Sequence, residues 1–385
     1  MKRSPLVGLA FVVLLGSCKS SPDYSRELAP GMRALILLDA DEIPDFSGQW
    51  AGRDAILPAL EESILWTRRE HAKSFFPIEG ITHERAIDSL LRFREVLQES
   101  LGPDDFQRAI EEEFTVYVSA GWNGKGGGVL FTAYCTPILR GSLDPDAKHR
   151  YPLYAPPLDL EKARDGSVLG WRTAGTLLAD YPSRRAIEAG GLLEGRGLEV
   201  AWLADPIDAY IAHINGSAFI ELEDGSMLRL GNAGTNGRAY NSLGRELEAD
   251  GQLERASLQA IRDWAAAAPP EQVEEYLFRN PRYAFFRPID GNPHGSLDVE
   301  VTAEHSLATD KALFPRGAIV FVEADVPATG GASQPFAKFM LDQDTGGAIR
   351  SAGRADIYLG IGPDAEERAG RTKSEGQLYY LFLRE

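Results

Sequence analysis

Three aspartates in the C-terminal quarter of this 385-residue chain have the type and spacing for proton-transfer chemistry. Asp310 ends the run Ser306-Leu307-Ala308-Thr309-Asp310, and Asp344 and Asp356 lie in Met340 to Gly362, M-L-D-Q-D-T-G-G-A-I-R-S-A-G-R-A-D-I-Y-L-G-I-G. The alternation around Ile357 and Tyr358 predicts a strand with Asp356 at its start, and a carboxyl fixed on a strand is well placed for acid/base work. Gly346 and Gly347 let the backbone turn or approach a ligand closely. An Asp beside Gly also caps turns by accepting backbone N–H bonds, so for Asp310 and Asp344 a structural reading stands level with a functional one. Asp344-Thr345-Gly346 is in addition the aspartic-protease tripeptide. Such an enzyme needs two carboxylates sharing a proton, and the chain has no second Asp-Thr/Ser-Gly.

Other chemistries find less support. The six histidines, His71, His83, His149, His213, His294 and His305, include no pair at helical metal spacing, and there is no Cys/His cluster, so neither metal nor cofactor is expected. There is no Gly-x-Ser-x-Gly elbow, and Gly124-Lys125-Gly126-Gly127-Gly128 lacks the ending of a phosphate-binding loop. A formal net charge of -17 and the lack of any Lys/Arg run argue against nucleic acid as a partner.

The elements that must position the aspartates are mixed. Leu57, Leu60, Ile64 and Leu65 mark a first helix; Thr82 caps a second, with Ile87, Leu90, Leu91 and Val96 on one face; a third covers Phe106 to Phe114. Two strands, Thr115 to Val118 and Val129 to Tyr134, flank the glycine turn. The stretch from about Pro137 to Pro288 reads as strand-rich, with an Asp224-Gly225 hairpin between Ser217 and Leu230. One helical interruption, Ser257 to Ala267 and Glu271 to Leu277, is split by Pro269-Pro270. Length and composition favour two domains.

At the N-terminus, Lys2 and Arg3 precede an apolar run, Leu6 to Leu15, too short to span a bilayer. Leu15-Gly16-Ser17-Cys18 resembles the lipobox of bacterial lipoproteins. That resemblance implies a signal peptide over 1–17, acylation of Cys18, a tether over 18–47, and a lipid anchor on the periplasmic face of the outer membrane. With Cys18 lipidated, Cys135 is left without a disulfide partner and is expected to be buried and inert.

The three-aspartate segment resembles the membrane-bound lytic murein transglycosylase A family. Further pieces match in order: Tyr151 to Tyr154, Gly197 to Leu203, Asn236 to Tyr240, Ser257 to Ile261 and Asn280 to Phe286. The resemblance implies a mainly β fold with some α: a double-psi β-barrel domain (48–137 plus 290–385) interrupted by a smaller barrel-like β domain (138–289), with a sugar-binding groove between them. It further implies cleavage of the β-1,4 bond between N-acetylmuramic acid and N-acetylglucosamine in peptidoglycan. The substrate's C6 hydroxyl serves as nucleophile and a 1,6-anhydro sugar forms, so one carboxyl suffices as acid and then base.

Carried over residue by residue, the catalytic role falls on Asp356, with Asp344 and Asp310 in support and Thr132, Tyr134, Gly216, Ser217, Gly346 and Gly347 at the substrate. The family has Gly in place of Ala133, Tyr in place of Cys135, and Gln-Gly-Ser-Gly at Asn215 to Ala218. These departures keep open a second reading, a catalytically weak peptidoglycan-binding lipoprotein. Partners would be glycan strands and, through the lipid, a membrane; cell-wall enzyme complexes are a further option.

Overall fold

The computed structural model describes residues 22–163, 168–178 and 180–385. Cys18 lies outside the described residues, and so does the apolar run before it.

Six strands close on themselves: Val129–Thr136, Ser306–Ala308, Ile319–Pro327, Ser333–Asp344, Arg354–Ile361 and Ser374–Leu383. Around the ring the order is Ser374–Leu383, Ile319–Pro327, Ser333–Asp344, Ser306–Ala308, Arg354–Ile361 and Val129–Thr136, which pairs back onto Ser374–Leu383. Two neighbouring pairs are parallel, Ser306–Ala308 with Ser333–Asp344 and Arg354–Ile361 with Val129–Thr136. Closure removes the unpaired strand edges. The fold class is the one expected, a barrel assembled from both ends of the chain with further sheets and helices around it.

Period-two alternation gives the wall of this barrel two faces. Phe131, Cys135, Leu307, Ala355, Ile357 and Leu359 pack inside the main core. Thr132, Tyr134, Arg354, Asp356 and Tyr358 therefore point outward.

Ala34 to Leu37 is not a loose tether. The strand Leu35–Leu37 pairs antiparallel with Phe114–Ser119, which pairs with Ser374–Leu383. Phe46 is fully buried under the helices Leu57–Thr67, His83–Glu99 and Pro103–Glu113. An apolar run beside a free strand edge has both hydrogen bonds and burial to gain, which the polar flanks obscured. Thr82 caps its helix as the sequence predicted, its hydroxyl accepting the Arg85 N–H at 3.1 Å.

A second sheet orders Ala284–Pro288, Met227–Thr235, Ala218–Glu221, Ile138–Ser142, Glu199–Leu203 and Tyr151–Tyr154. Its outer strands approach each other without ladder bonds, so it curls but does not close. The hairpin turns at Asp224-Gly225 as predicted, with Gly225 at φ 81°. The middle of the chain holds more helix than its texture suggested: Arg184–Glu188, Pro206–Asn215 and Leu243–Ala249. The signal for Pro206–Asn215 is present in the sequence. Asp205 caps it, Pro206 opens it, and Ile207, Tyr210 and Ile211 recur at helical spacing on its buried side. It ends at Gly216, whose φ of 72° requires a residue tolerant of the left-handed region.

Candidate active site

Register sets Asp344, Ala308, Asp356 and Thr132 in one row across four adjacent strands. Two strand spacings separate the aspartate backbones, about 10 Å. Asp356 is partly buried and accepts one hydrogen bond, from the Thr132 hydroxyl to Oδ1 at 2.7 Å. Burial pushes its carboxyl up to about 6 and the charge of Asp344 adds to that, while the Thr132 bond and the Arg354 guanidinium pull the other way. Arg354 donates to Thr132 Oγ1 at 3.3 Å, and its buried Nε has no partner among the described residues. The result is a carboxyl that holds its proton at weakly acidic pH with one oxygen uncommitted, which suits a general acid.

Asp344 is better satisfied. Its Oδ2 accepts the Tyr134 hydroxyl at 2.8 Å, and Oδ1 accepts the backbone N–H of Ser296 and of Thr345, each at 2.7 Å. Burial raises this carboxyl too, but those three donors counter the rise. Tyr134 in turn packs on Tyr358 with ring centroids 5.1 Å apart, and Tyr358 bonds Thr136.

Asp310 does not join them. It accepts the Ala312 N–H at 3.1 Å and the Ser351 N–H at 2.9 Å, with Arg350 3.7 Å away. Its contacts hold the segment that runs from Asp344 to Asp356, which is the turn-capping reading. A fourth acid of this segment, Asp342, stands apart from the three. Fully buried, it is bonded by Lys311, Thr309 and Tyr380. Its signal in the sequence is a charged residue two positions after Met340, on the buried side of the strand's alternation.

A cavity of about 300 Å³ lies between the barrel wall and the second sheet. Tyr134, Tyr358, Asp344, Gly346 and Gly347 line it from the barrel; Asn215, Gly216, Ser217 and Asn232 line it from the other side. Asp356 and Thr132 are not in its wall. They sit one step along the same outward face, beside Tyr358 and Tyr134. Neither Gly346 nor Gly347 has a positive φ. A Cβ on Gly347 would lie 3.1 Å from Tyr240 Cβ and 3.2 Å from Arg282 Nε, so the close approach there is to the second sheet's loops. Ser217 Oγ lies 2.9 Å from Thr136 Oγ1 and ties the two sheets together at the cavity floor. Among the described residues the one His/Asp/Glu group within metal-ligand reach is Asp146, His149 and Glu223, far along the chain from this row.

Residues 130–287 match the model described as the MltA specific insert domain, and residues 305–382 match the 3D domain. A membrane-bound lytic murein transglycosylase A of Vibrio cholerae is 33% identical over 271 residues, 68% of each chain. The chain belongs to the membrane-bound lytic murein transglycosylase A family. The Escherichia coli relative of that name is 33% identical over 261 residues, 66% of each chain. Among solved structures, a membrane-bound lytic murein transglycosylase from Agrobacterium tumefaciens superposes with a TM-score of 0.73 at 27% identity, covering 91% of this chain and 98% of that one. The E. coli structure with bound chitohexaose gives 0.68 at 24% identity over 95% and 100%, a likeness of fold.

Of the four positions expected to depart from the family pattern, most face away from the cavity. Ala133 and Cys135 alternate with Thr132 and Tyr134 and point into the barrel core, where burial pushes the Cys135 thiol up to about 12. Ala218 is fully buried in the second sheet's core. Asn215 alone of the four lines the cavity, and its Oδ1 is 3.3 Å from the Cys135 N–H it accepts.

Proposed function

We propose that this family member, a lytic transglycosylase acting on peptidoglycan, uses Asp356 as its single acid and base. In this reading the protonated Asp356 carboxyl gives its proton to the glycosidic oxygen as the bond from C1 of N-acetylmuramic acid breaks. The C6 hydroxyl of the same sugar bonds to C1 and returns its proton to Asp356, leaving a 1,6-anhydro ring and the free N-acetylglucosamine end. No water is consumed and Asp356 ends as it began. The observation that carries this is the contrast in commitment: among the described residues Asp356 holds one hydrogen bond and a raised pKa, while Asp344 is held by three donors. Asp344 then acts by its charge and by fixing Tyr134, and Asp310 by holding the intervening segment.

Buried polar atoms without a partner support a polar ligand in the adjoining cavity. Thr345 Oγ1 and His294 Nδ1 both belong to residues that line it. The inward or buried positions of Ala133, Cys135 and Ala218 remove the main support for the weak-binding alternative. We also take residues 138–289 as a domain inserted in the barrel domain, because the second sheet begins at Ile138 and ends at Pro288.

Mass analysis of glycan digests tests the reaction: a transglycosylase product is one water lighter than the hydrolysis product, and a product of hydrolytic mass would exclude the anhydro mechanism. For location, the relatives are named membrane-bound, and the reading of an outer-membrane lipoprotein rests on Cys18. Cys18→Ala is expected to leave the protein unprocessed or mislocalised; unchanged processing and membrane fractionation would exclude lipidation there.

A further inference from the structure

A second cavity, of about 270 Å³, is lined by residues of the inserted sheet and the helices packed on it. Tyr151, Tyr154, Trp202 and Phe278 supply an aromatic wall, and Glu188, Glu194 and Glu274 bring carboxylates to it. Tyr154 is only 2% exposed, and its hydroxyl has no hydrogen bond among the described residues. Glu188 is paired with Arg184 at 2.6 Å, whereas the side-chain carboxylates of Glu194 and Glu274 have no ion pair or hydrogen bond among the described residues. Two more acids act on these walls, Asp205 on Tyr151 and Glu199 on Tyr154. Of the nearby cations, Arg150 opposes the acids at Tyr151, while two others are held by carboxylates outside the unpaired pair. Arg184 is turned to Glu188 and over the rings of Tyr210 and Tyr283, Arg185 lies over the Phe278 ring at 4.8 Å and is paired with Glu275, and exposed Arg150 stands at the rim. The helix Pro206–Asn215 starts at this cavity, but its N-terminus is already capped by Asp205, which accepts the Ile207 N–H at 2.8 Å. Aromatic faces beside unpaired carboxylates favour a cation on an apolar stem.

We propose that this cavity binds a primary ammonium group at the end of an alkyl side chain, carried by the peptide portion of the peptidoglycan strand being cleaved. The assignment rests on the function proposed above. The geometry connecting the two sites is the helix Pro206–Asn215. Pro206 and Ala209 line the second cavity, and His213 to Asn215 line the first. Nine rises of 1.5 Å separate the helix ends, Pro206 and Asn215, by about 14 Å. An extended peptide of four or five residues covers that distance at 3.3–3.6 Å per residue. A peptide attached to a sugar in the first cavity therefore has the reach to place a side-chain amine in the second.

The test separates charge, location and source. Nα-acetyl-lysine methylamide should bind the full chain saturably by calorimetry, and its norleucine counterpart, with the same stem and no charge, at least fivefold more weakly. The double variant Glu194→Gln, Glu274→Gln should lose at least fivefold of the lysine affinity while keeping its melting temperature, since both carboxylates are exposed. With peptide-bearing glycan the double variant should raise KM and leave kcat unchanged, and N-acetylation of the peptide amines should abolish that difference. No binding of the lysine compound, equal binding of both compounds, or unchanged affinity in the double variant would overturn the site. Lysine binding with a KM that ignores the double variant would overturn the substrate assignment and point to a protein partner's lysine. In each case wild-type release of anhydro product reports separately on the proposed function.

Discussion

Asp356 and Asp342 are two desolvated carboxylates in one barrel with opposite surroundings. Burial raises both. Asp342 lies under the wall with Lys311, Thr309 and Tyr380 on its oxygens, so burial is matched by partners and the group is closed to any ligand. Asp356 lies on the outward face with one hydroxyl bond and solvent within reach. A raised pKa by itself therefore does not mark an acid catalyst; a rise in the same direction with unused hydrogen-bonding capacity beside a cavity does.

The largest expected effect lies on the Asp342 side. Lys311→Met strands a buried carboxylate and should cost about 3–5 kcal/mol of unfolding free energy. Chemical denaturation checks this, and a loss under 1 kcal/mol would mean that Asp342 is not held as an ion pair.

Asp356 should behave in the reverse sense. Its carboxyl binds a proton more tightly folded, about 6, than at the ordinary 3.8, so the wild type loses stability as pH rises from roughly 4 through 6. Asp356→Asn removes that loss and should be more stable at pH 7 than the wild type, with an upper bound of about 3 kcal/mol at 1.36 kcal/mol per unit. Solvent access to the carboxyl reduces the figure, and the gain should vanish below pH 4. A variant less stable than wild type at pH 7 would show that Asp356 is a structural cap.

Asp344→Asn should cost about tenfold in turnover, about 1.4 kcal/mol, through Tyr134 and the lost charge. The fall in activity with rising pH should also move to lower pH, because the Asp344 charge helps to hold the proton on Asp356. An unmoved limb would separate the two carboxyls. Thr132→Val removes a bond that favours the charged form, so the same limb should move to higher pH with a smaller change in rate. Cys135→Ala should leave turnover within about twofold, because the thiol faces the barrel core; a larger loss with sugar binding intact would give it a part in the reaction.

Much of this was legible in the chain. Alternation placed Asp356 on a strand, Thr82 announced its helix, and Asp224-Gly225 its hairpin, since each depends on neighbours in sequence. What stayed hidden depended on partners far along the chain. Asp310 and Asp344 carry the same local signal, an acid near a turn, and only the pairing of Ser306–Ala308 with both Ser333–Asp344 and Arg354–Ile361 sets Asp344 in a row with Asp356. The closed ion pair of Lys311 with Asp342 is likewise a product of closure, and Phe46 is buried by helices packed on the outside of the barrel. Pro206–Asn215 carries its own start signals within a strand-rich stretch, so its local pattern and its surroundings point to different elements.

The central claim is that one carboxyl, Asp356, moves the proton in both halves of the reaction. Its most direct test is the release of anhydro-muropeptides by folded Asp356→Asn, followed by mass, alongside glycan binding. The account predicts a loss of turnover of about a hundredfold or more with binding retained, the scale of a general acid in the transition state. Release at the wild-type rate by Asp356→Asn, with loss in Asp344→Asn instead, would contradict it.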